Sequence, residues 1–268
     1  MTFDLRLKEN FKIFLSGPSG SGKTSFIIKL IENIDNASKI PPRKIVYFFT
    51  EWQEKFSWMK RNLNVTFIED NDMILEHVKD IESPALIIFD DMLNSPNIKA
   101  IAQLYTVHGR HMNLSLAFLS QRLFNNNEHF RQISQNSDYM CIFKNPRNSM
   151  DVRNMAMQIT PKTLDLLHIY NAATKKPYSY IFIDLTQECI PQLRYRSSLF
   201  DDEKQKQLSL IARLEKIEVK YVGPPQEVVM IMNRNISTPF NVAQHMTEML
   251  CERSALALVN GQIWDMHR

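Results

Sequence analysis

The sequence predicts an α/β fold: a mainly parallel central sheet flanked by helices, later antiparallel strands and a helical C-terminal extension. Three observations predict it. Apolar runs alternate with helix-period stretches over residues 11–200. One run, from Phe11 to Ser16, enters a glycine-rich turn that opens a helix. Another, from Ala85 to Phe89, ends in the carboxylates Asp90 and Asp91.

The elements follow in order. The turn is Gly17-Pro18-Ser19-Gly20-Ser21-Gly22-Lys23-Thr24, a complete G-x-x-x-x-G-K-[ST] phosphate-binding loop. Its glycines let an anion approach the main chain, and the N–H groups of the turn and helix start point at that anion. Gly17 to Ser25 is therefore the expected nucleotide cradle. Lys23 reaches the terminal phosphates and the Thr24 hydroxyl ligates Mg²⁺. Phe26, Ile27, Leu30, Ile31 and Ile34 then recur at helical spacing, until Pro41-Pro42 breaks the pattern. Strands are expected over 44–50 and 65–68, with a short helix or loop over 52–63 bearing Trp52, Phe56 and Trp58 between them. Asp70 or Asn71 caps a further helix carrying Met73, Ile74 and Val78.

The strand over 85–90 carries the second signal. After a phosphate loop, an apolar strand ending in two carboxylates is the Walker B pattern. Asp90 holds Mg²⁺, and Asp91 orients and deprotonates the attacking water. Ser95-Pro96 is an expected helix start, and Gly109 an expected C-cap. The next strand, 115–121, ends in Ser120-Gln121, and an amide there would lie close to a terminal phosphate. Asn125–Asn127 supply caps for a helix over 128–135. A strand over 139–145, helices over 151–159 and from Thr160-Pro161, and paired strands over 178–185 and 193–200 complete the first region. A charged helix is expected over 201–218, a Gly223-Pro224-Pro225 linker next, then a strand over 228–232 and a helix over 240–258. The expected division is an ATPase domain over 1–200 and a helical extension over 201–268, whose role the residues leave open. Loop, carboxylates and Gln121 all fall at strand ends, which points to one rim of the P-loop NTPase fold in its ASCE, RecA-like form.

Composition bounds the class. The chain has 268 residues, 44% hydrophobic and 23% charged, as an ordinary globular protein does. Its formal net charge of +3 permits nucleic-acid binding without requiring it. Cys141, Cys189 and Cys251 are far apart and in no metal-like spacing, which indicates a reducing compartment without disulfides. No apolar run approaches the ~20 residues that span a bilayer, and residues 1–10 lack the apolar core of a signal peptide. His108 and His111 have no cysteine or carboxylate cluster beside them that would complete a zinc site. Trp52, Phe56 and Trp58 are expected as core or interface anchors rather than base-stacking platforms.

The order Gly17–Thr24, Leu86–Asp91, Gly109-Arg110-His111, Leu116–Gln121, Phe143-Lys144-Asn145-Pro146-Arg147 and Leu193-Arg194-Tyr195-Arg196 resembles the genome-packaging ATPases of the FtsK–HerA superfamily. The similarity lies with the branch found in Polinton/Maverick elements, adintoviruses and poxviruses. That resemblance implies a homo-oligomeric ring, a pentamer or hexamer, that uses ATP and Mg²⁺ to pump double-stranded DNA into a preformed capsid, with the capsid or portal vertex as partner. It implies action in an infected host cell or virion rather than secretion. It also implies an arginine donated across the subunit interface. Arg110 is the first candidate for that finger because it is expected near the rim, followed by Arg147 and then Arg131. Lys175, Lys176, Arg194 and Arg196 are candidate contacts to DNA phosphates. Asn148 stands where the family often carries an acidic residue, which leaves that position's role open. Two other readings of the same loop are a nucleotide kinase and a non-enzymatic, nucleotide-dependent DNA- or capsid-binding scaffold.

Overall fold

The computed structural model describes residues 4–70, 74–200, 216–223, 227–233, 238–246 and 256–265. The chain divides into two compact units, Met1–Lys204 and Gln205–Arg268.

The first unit is built on eight strands: β1 (Lys12–Ser16), β2 (Lys44–Phe49), β3 (Val65–Glu69), β4 (Ala85–Asp90), β5 (Leu114–Ser120), β6 (Tyr139–Phe143), β7 (Tyr180–Asp184) and β8 (Tyr195–Arg196). They form one sheet in the order β3-β2-β4-β5-β1-β6-β7-β8. The run from β3 to β6 is parallel throughout. β7 is antiparallel to both β6 and β8. Every residue of β4 and β5 is buried, as expected of parallel strands covered on both faces.

Side chains alternate between two apolar layers. Along β4, Ala85, Ile87 and Phe89 enter one layer, which also holds Phe14, Phe118 and Phe130. Leu86 and Ile88 enter the other, with Phe26, Tyr47 and Phe143. The helix after β1, α1 (Lys23–Glu32), buries Phe26, Ile27, Leu30 and Ile31 in this second layer. A short α2 (Ile34–Ala37) follows it, and α3 (Glu54–Asn62) buries Phe56 and Met59 in the same layer. The first layer takes α4 (Ile74–Lys79), α5 (Ile98–Gln103), α7 (Glu128–Gln135), α8 (Ser149–Ile159) and α9 (Thr163–Ala173). The short α6 (Gly109–His111) precedes β5. Residues 71–73, part of the expected helix start before α4, lie outside the described residues.

Several boundaries differ from expectation. Gly109 is not a C-cap. Its φ of −58° is helical, and a π-helical turn over Leu104–His108 carries the helix straight through it. The chain leaves the helix at Asn113 instead, in the left-handed region with φ 52°. Glycine is needed at 109 for space, because a Cβ there would stand 2.6 Å from the Leu104 carbonyl oxygen. Ser95 accepts the Asn97 N–H at 3.0 Å, and the helix begins only at Ile98. β8 shrinks to two residues, since Pro191 opens a 3₁₀ turn and only Tyr195 and Arg196 pair with β7.

In the second unit β9 (Lys216–Tyr221) pairs antiparallel with β10 (Val228–Asn233), and α10 (Pro239–Met246) precedes a second hairpin, β11 (Leu256–Val259) and β12 (Gln262–Asp265). Its described residues are thus mostly strand, and α10 covers residues 240–246 of the helix expected over 240–258. Of the helices expected over 201–218 and 240–258, residues 201–215 and 247–255 lie outside the described residues. Over 216–221, charged and apolar residues alternate with period two, a strand pattern. The second hairpin turns on Asn260 and Gly261, at φ 47° and 80°, the Asn-Gly pair favoured by two-residue hairpin turns.

Candidate active site

Parallel strands bring their carboxyl ends to one edge of the sheet, and the site is built there. The loop leaving β1 is tied to the neighbouring strand by the Gly17 N–H, which donates to the Ser120 carbonyl at 3.1 Å. A Cβ at Gly17 would stand 2.6 Å from both Phe143 Cβ and Ser21 Oγ, so only glycine lets the loop pass β6. Gly22, at φ 108°, turns the chain into α1 and caps it without a side-chain hydrogen bond. The first N–H groups of the helix therefore face the cleft without an intrahelical partner.

The cleft, about 220 Å³, is lined by the loop from Ser19 to Ser25 and by Gln53, Lys55, Asp90, Asp91, Gln121 and Tyr178. Lys23 folds back over the loop, its Nζ donating to the carbonyls of Gly17 at 2.5 Å and Pro18 at 3.1 Å. Burial lowers the Lys23 pKa, and the negative charges of Asp90 and Asp91 oppose that shift. Ser21 Oγ is buried with no hydrogen-bond partner.

Asp90 and Asp91 occupy different environments although adjacent. Asp90 ends β4 inside the protein, where burial raises its pKa above the ordinary carboxylate range. The Tyr47 hydroxyl and the Lys23 charge hold it back. Tyr47 donates to Asp90 Oδ2 at 2.7 Å. Its own hydroxyl is pushed far above the usual range, chiefly by burial and then by Asp90, while the Thr24 hydroxyl acts in the opposite sense. Asp91 is exposed and sits in the left-handed region, with φ 56°. Its Oδ2 accepts a hydrogen bond from Gln121 Nε2 at 2.6 Å. One carboxylate is thus sunk beside the loop, and its neighbour faces the cleft with an amide attached.

The donor set fits Mg²⁺. Thr24 and Asp90 supply hard oxygens beside the phosphate loop, the pattern of an ion that shares its shell with substrate phosphates. The unpartnered Ser21 hydroxyl fits a phosphate oxygen in the same way.

The fold thus gathers Ser19–Ser25, Asp90, Asp91 and Gln121 into one cleft, with Gly17 and Pro18 as the carbonyl support of Lys23. Arg110 is elsewhere. The helix after β4 runs back across the sheet, so Arg110 lies at the amino edge, opposite the phosphate loop. There it lines a separate cleft of about 1310 Å³ with Lys12, His111 and Asp138. That corrects its expected place near the rim. Arg147 follows β6 at the carboxyl edge and is exposed, and Arg131 is exposed on α7.

Arg196 is not available to DNA. It is 5% exposed, donates to the Leu5 carbonyl at 2.9 Å and pairs with Asp184 at 3.4 Å. Its guanidinium also lies 4.7 Å from the centre of the Phe182 ring. Lys175 and Lys176 are exposed. Asn148 is the N-cap of α8, accepting the Asp151 N–H at 3.2 Å. Phe56 is a core anchor, whereas Trp52 and Trp58 are 51% and 41% exposed.

Tyr47, Gln53, Lys55 and Tyr178 were not singled out from the sequence. A tyrosine inside an apolar strand does carry a signal, because its buried hydroxyl needs a partner. The partner's identity comes only from register, which sets Tyr47 opposite Ile88, on the same face as Asp90.

Comparison with known proteins places this geometry in context. The family described as Poxvirus A32 protein matches residues 2–209. The genome packaging NTPase B204 from Sulfolobus turreted icosahedral virus 2, in complex with sulfate, superposes with a TM-score of 0.48 and 16% identity, covering 68% of this chain and 94% of that one. The same protein in complex with AMPPCP gives 0.48 and 17%, covering 67% and 95%. A stretch of 77 residues, 28% of the chain, is 53% identical to the large ribosomal subunit protein mL39 of Drosophila melanogaster, and spans 23% of that protein's length.

Proposed function

The chain belongs to the Poxvirus A32 protein family, and from that premise we propose that it is an ATP-driven motor that moves double-stranded DNA into a preformed capsid. The observation that carries the hydrolytic part is the meeting of Lys23, Asp90, Asp91 and Gln121 around one phosphate loop. The DNA-packaging part rests on the motif order from Gly17 to Arg196, which resembles that of packaging ATPases.

The residues divide the work by position. The N–H groups of the loop and the Ser21 hydroxyl take the phosphate oxygens. Lys23 exchanges the Gly17 and Pro18 carbonyls for the terminal phosphates, a stronger, charge-assisted contact. Thr24 and Asp90 hold Mg²⁺, which when bound neutralises charge on the phosphates. Asp91 is the base: it is exposed, carries a free Oδ1 and is steadied at Oδ2 by Gln121. Gln121 thereby links the base to the strand beside β1, where the departure of a terminal phosphate is felt. A ring of identical copies completes the site with an arginine from the neighbour. Arg147 follows β6 on the same carboxyl edge of the sheet as the site, and Arg110, on the far edge of its own sheet, acts only from another copy.

The test is phosphate release by the purified chain, with and without double-stranded DNA. DNA should stimulate release. Lys23→Ala should lower it about a hundredfold or more, the scale of losing a directed cationic contact, while the protein still folds. Release indifferent to DNA, or phosphate transfer to an added nucleoside monophosphate, would overturn the proposal.

A further inference from the structure

We propose that Tyr178 is the face on which the base of the bound nucleotide stacks. This rests on the reading of Ser19–Ser25 as a triphosphate cradle. Tyr178 lines the same cleft, and a Cβ added to Gly22 would stand 3.5 Å from the Tyr178 Cβ. The cleft's volume of about 220 Å³ is below the roughly 300–1,000 Å³ of pockets that enclose whole small ligands. Phosphates fill it, and the base must extend onto its wall.

The tyrosine is held at that wall against the preference of its own backbone. Lys176, Pro177, Tyr178 and Ser179 form a turn in which the Ser179 N–H donates to the Lys176 carbonyl at 3.4 Å. Proline takes the second position. Tyr178 takes the third, with φ 61°, where such turns favour glycine or asparagine. A bulky residue at positive φ is unusual, and strain of this kind clusters at ligand sites. The side chain returns no packing for that strain, being 73% exposed. An exposed ring beside a phosphate cradle offers a π-face to any base. Trp52, a further exposed aromatic near this edge, is already engaged edge-on with Phe49, Phe56 and Phe67 at 5.4–5.7 Å.

The test compares ATP with inorganic tripolyphosphate, both with Mg²⁺, on the full chain and on Tyr178→Gly. The wild type should bind both. The variant should bind ATP about tenfold more weakly, the size of one base–aromatic stack, and tripolyphosphate equally well. It should also melt higher, by about 2–4 °C, because glycine relieves the turn. Tyr178→Trp should keep ATP affinity, with indole fluorescence that responds to ATP and not to tripolyphosphate. Unchanged ATP affinity in Tyr178→Gly, or equal losses for both ligands, would overturn the assignment. A wild type that binds neither ligand would instead refute the phosphate cradle itself.

Discussion

Tyr47→Phe removes a single oxygen, the one that donates to Asp90 Oδ2 at 2.7 Å. The ring itself keeps its packing against Phe56 and Phe67, at 4.9 and 5.2 Å between centroids, so the layer stays filled. A hydrogen bond to a buried charged group is worth ~1.5–3 kcal/mol, which corresponds to about one to two pKa units. Burial already raises Asp90, and the Tyr47 bond is the first-ranked effect that lowers it. Without that bond Asp90 rises further. The sign follows from linkage. A carboxyl whose folded pKa exceeds its unfolded value binds its proton more tightly in the folded state. It favours folding at low pH, and that contribution is lost as pH rises through the folded pKa. Tyr47→Phe should therefore destabilise by about 1.5–3 kcal/mol at pH 8. The deficit should shrink as pH falls through the raised Asp90 pKa, where both proteins carry a neutral carboxyl. Paired urea titrations of variant and wild type, run from pH 8 down to the acid limit at which both still fold, measure it. A deficit constant across that range would mean that Tyr47 does not act through the ionised Asp90, and the reasoning would fail.

Two further outcomes follow from packing. Arg196→Ala should cost ~1.5–3 kcal/mol in denaturant unfolding, because it removes a buried guanidinium's bonds to the half-buried Asp184 and the Leu5 carbonyl, while Asp184 keeps its bonds from Thr186; a loss under 1 kcal/mol would show that water replaces the guanidinium. Gly109→Ala should cost ~1–3 kcal/mol by thermal unfolding, since its Cβ meets backbone at Leu104 and the Leu116 side chain at 3.1 Å; a neutral result would mean that the π turn opens freely.

Most of the sheet was legible because the central parallel strands are buried on both faces and so read as short apolar runs bounded by turn residues. The helix over 128–135 was legible with its cap, because Asn127 satisfies the N–H groups of His129 and Phe130 locally. Gly109 misled because glycine is common at helix ends for its backbone freedom, whereas here it answers a steric demand from a carbonyl five residues earlier. The strand nature of residues 216–221 and the Asn260-Gly261 hairpin were present as local signals. The first was outweighed by the charge of the stretch before it, and the second lies just beyond the helix expected over 240–258.

The amino-acid sequence by itself determined the phosphate loop, the acidic end of β4 and the amide end of β5. Each is a run of consecutive residues, and its chemistry follows from composition and the turn it occupies. Tertiary structure decided everything that depends on distance across the sheet. It set Tyr47 on Asp90, 43 residues away, and Gln121 on Asp91, 30 residues away. It sank one carboxylate and exposed its neighbour. It sent Arg110 to the far edge, because a helix joining parallel strands must run back to where the next strand begins. It also buried Arg196, whose sequence neighbours carry no sign that Leu5, Phe182 and Asp184 would meet there. Strand order and register belong to no local segment, and that is why these contacts could be found only in the folded chain.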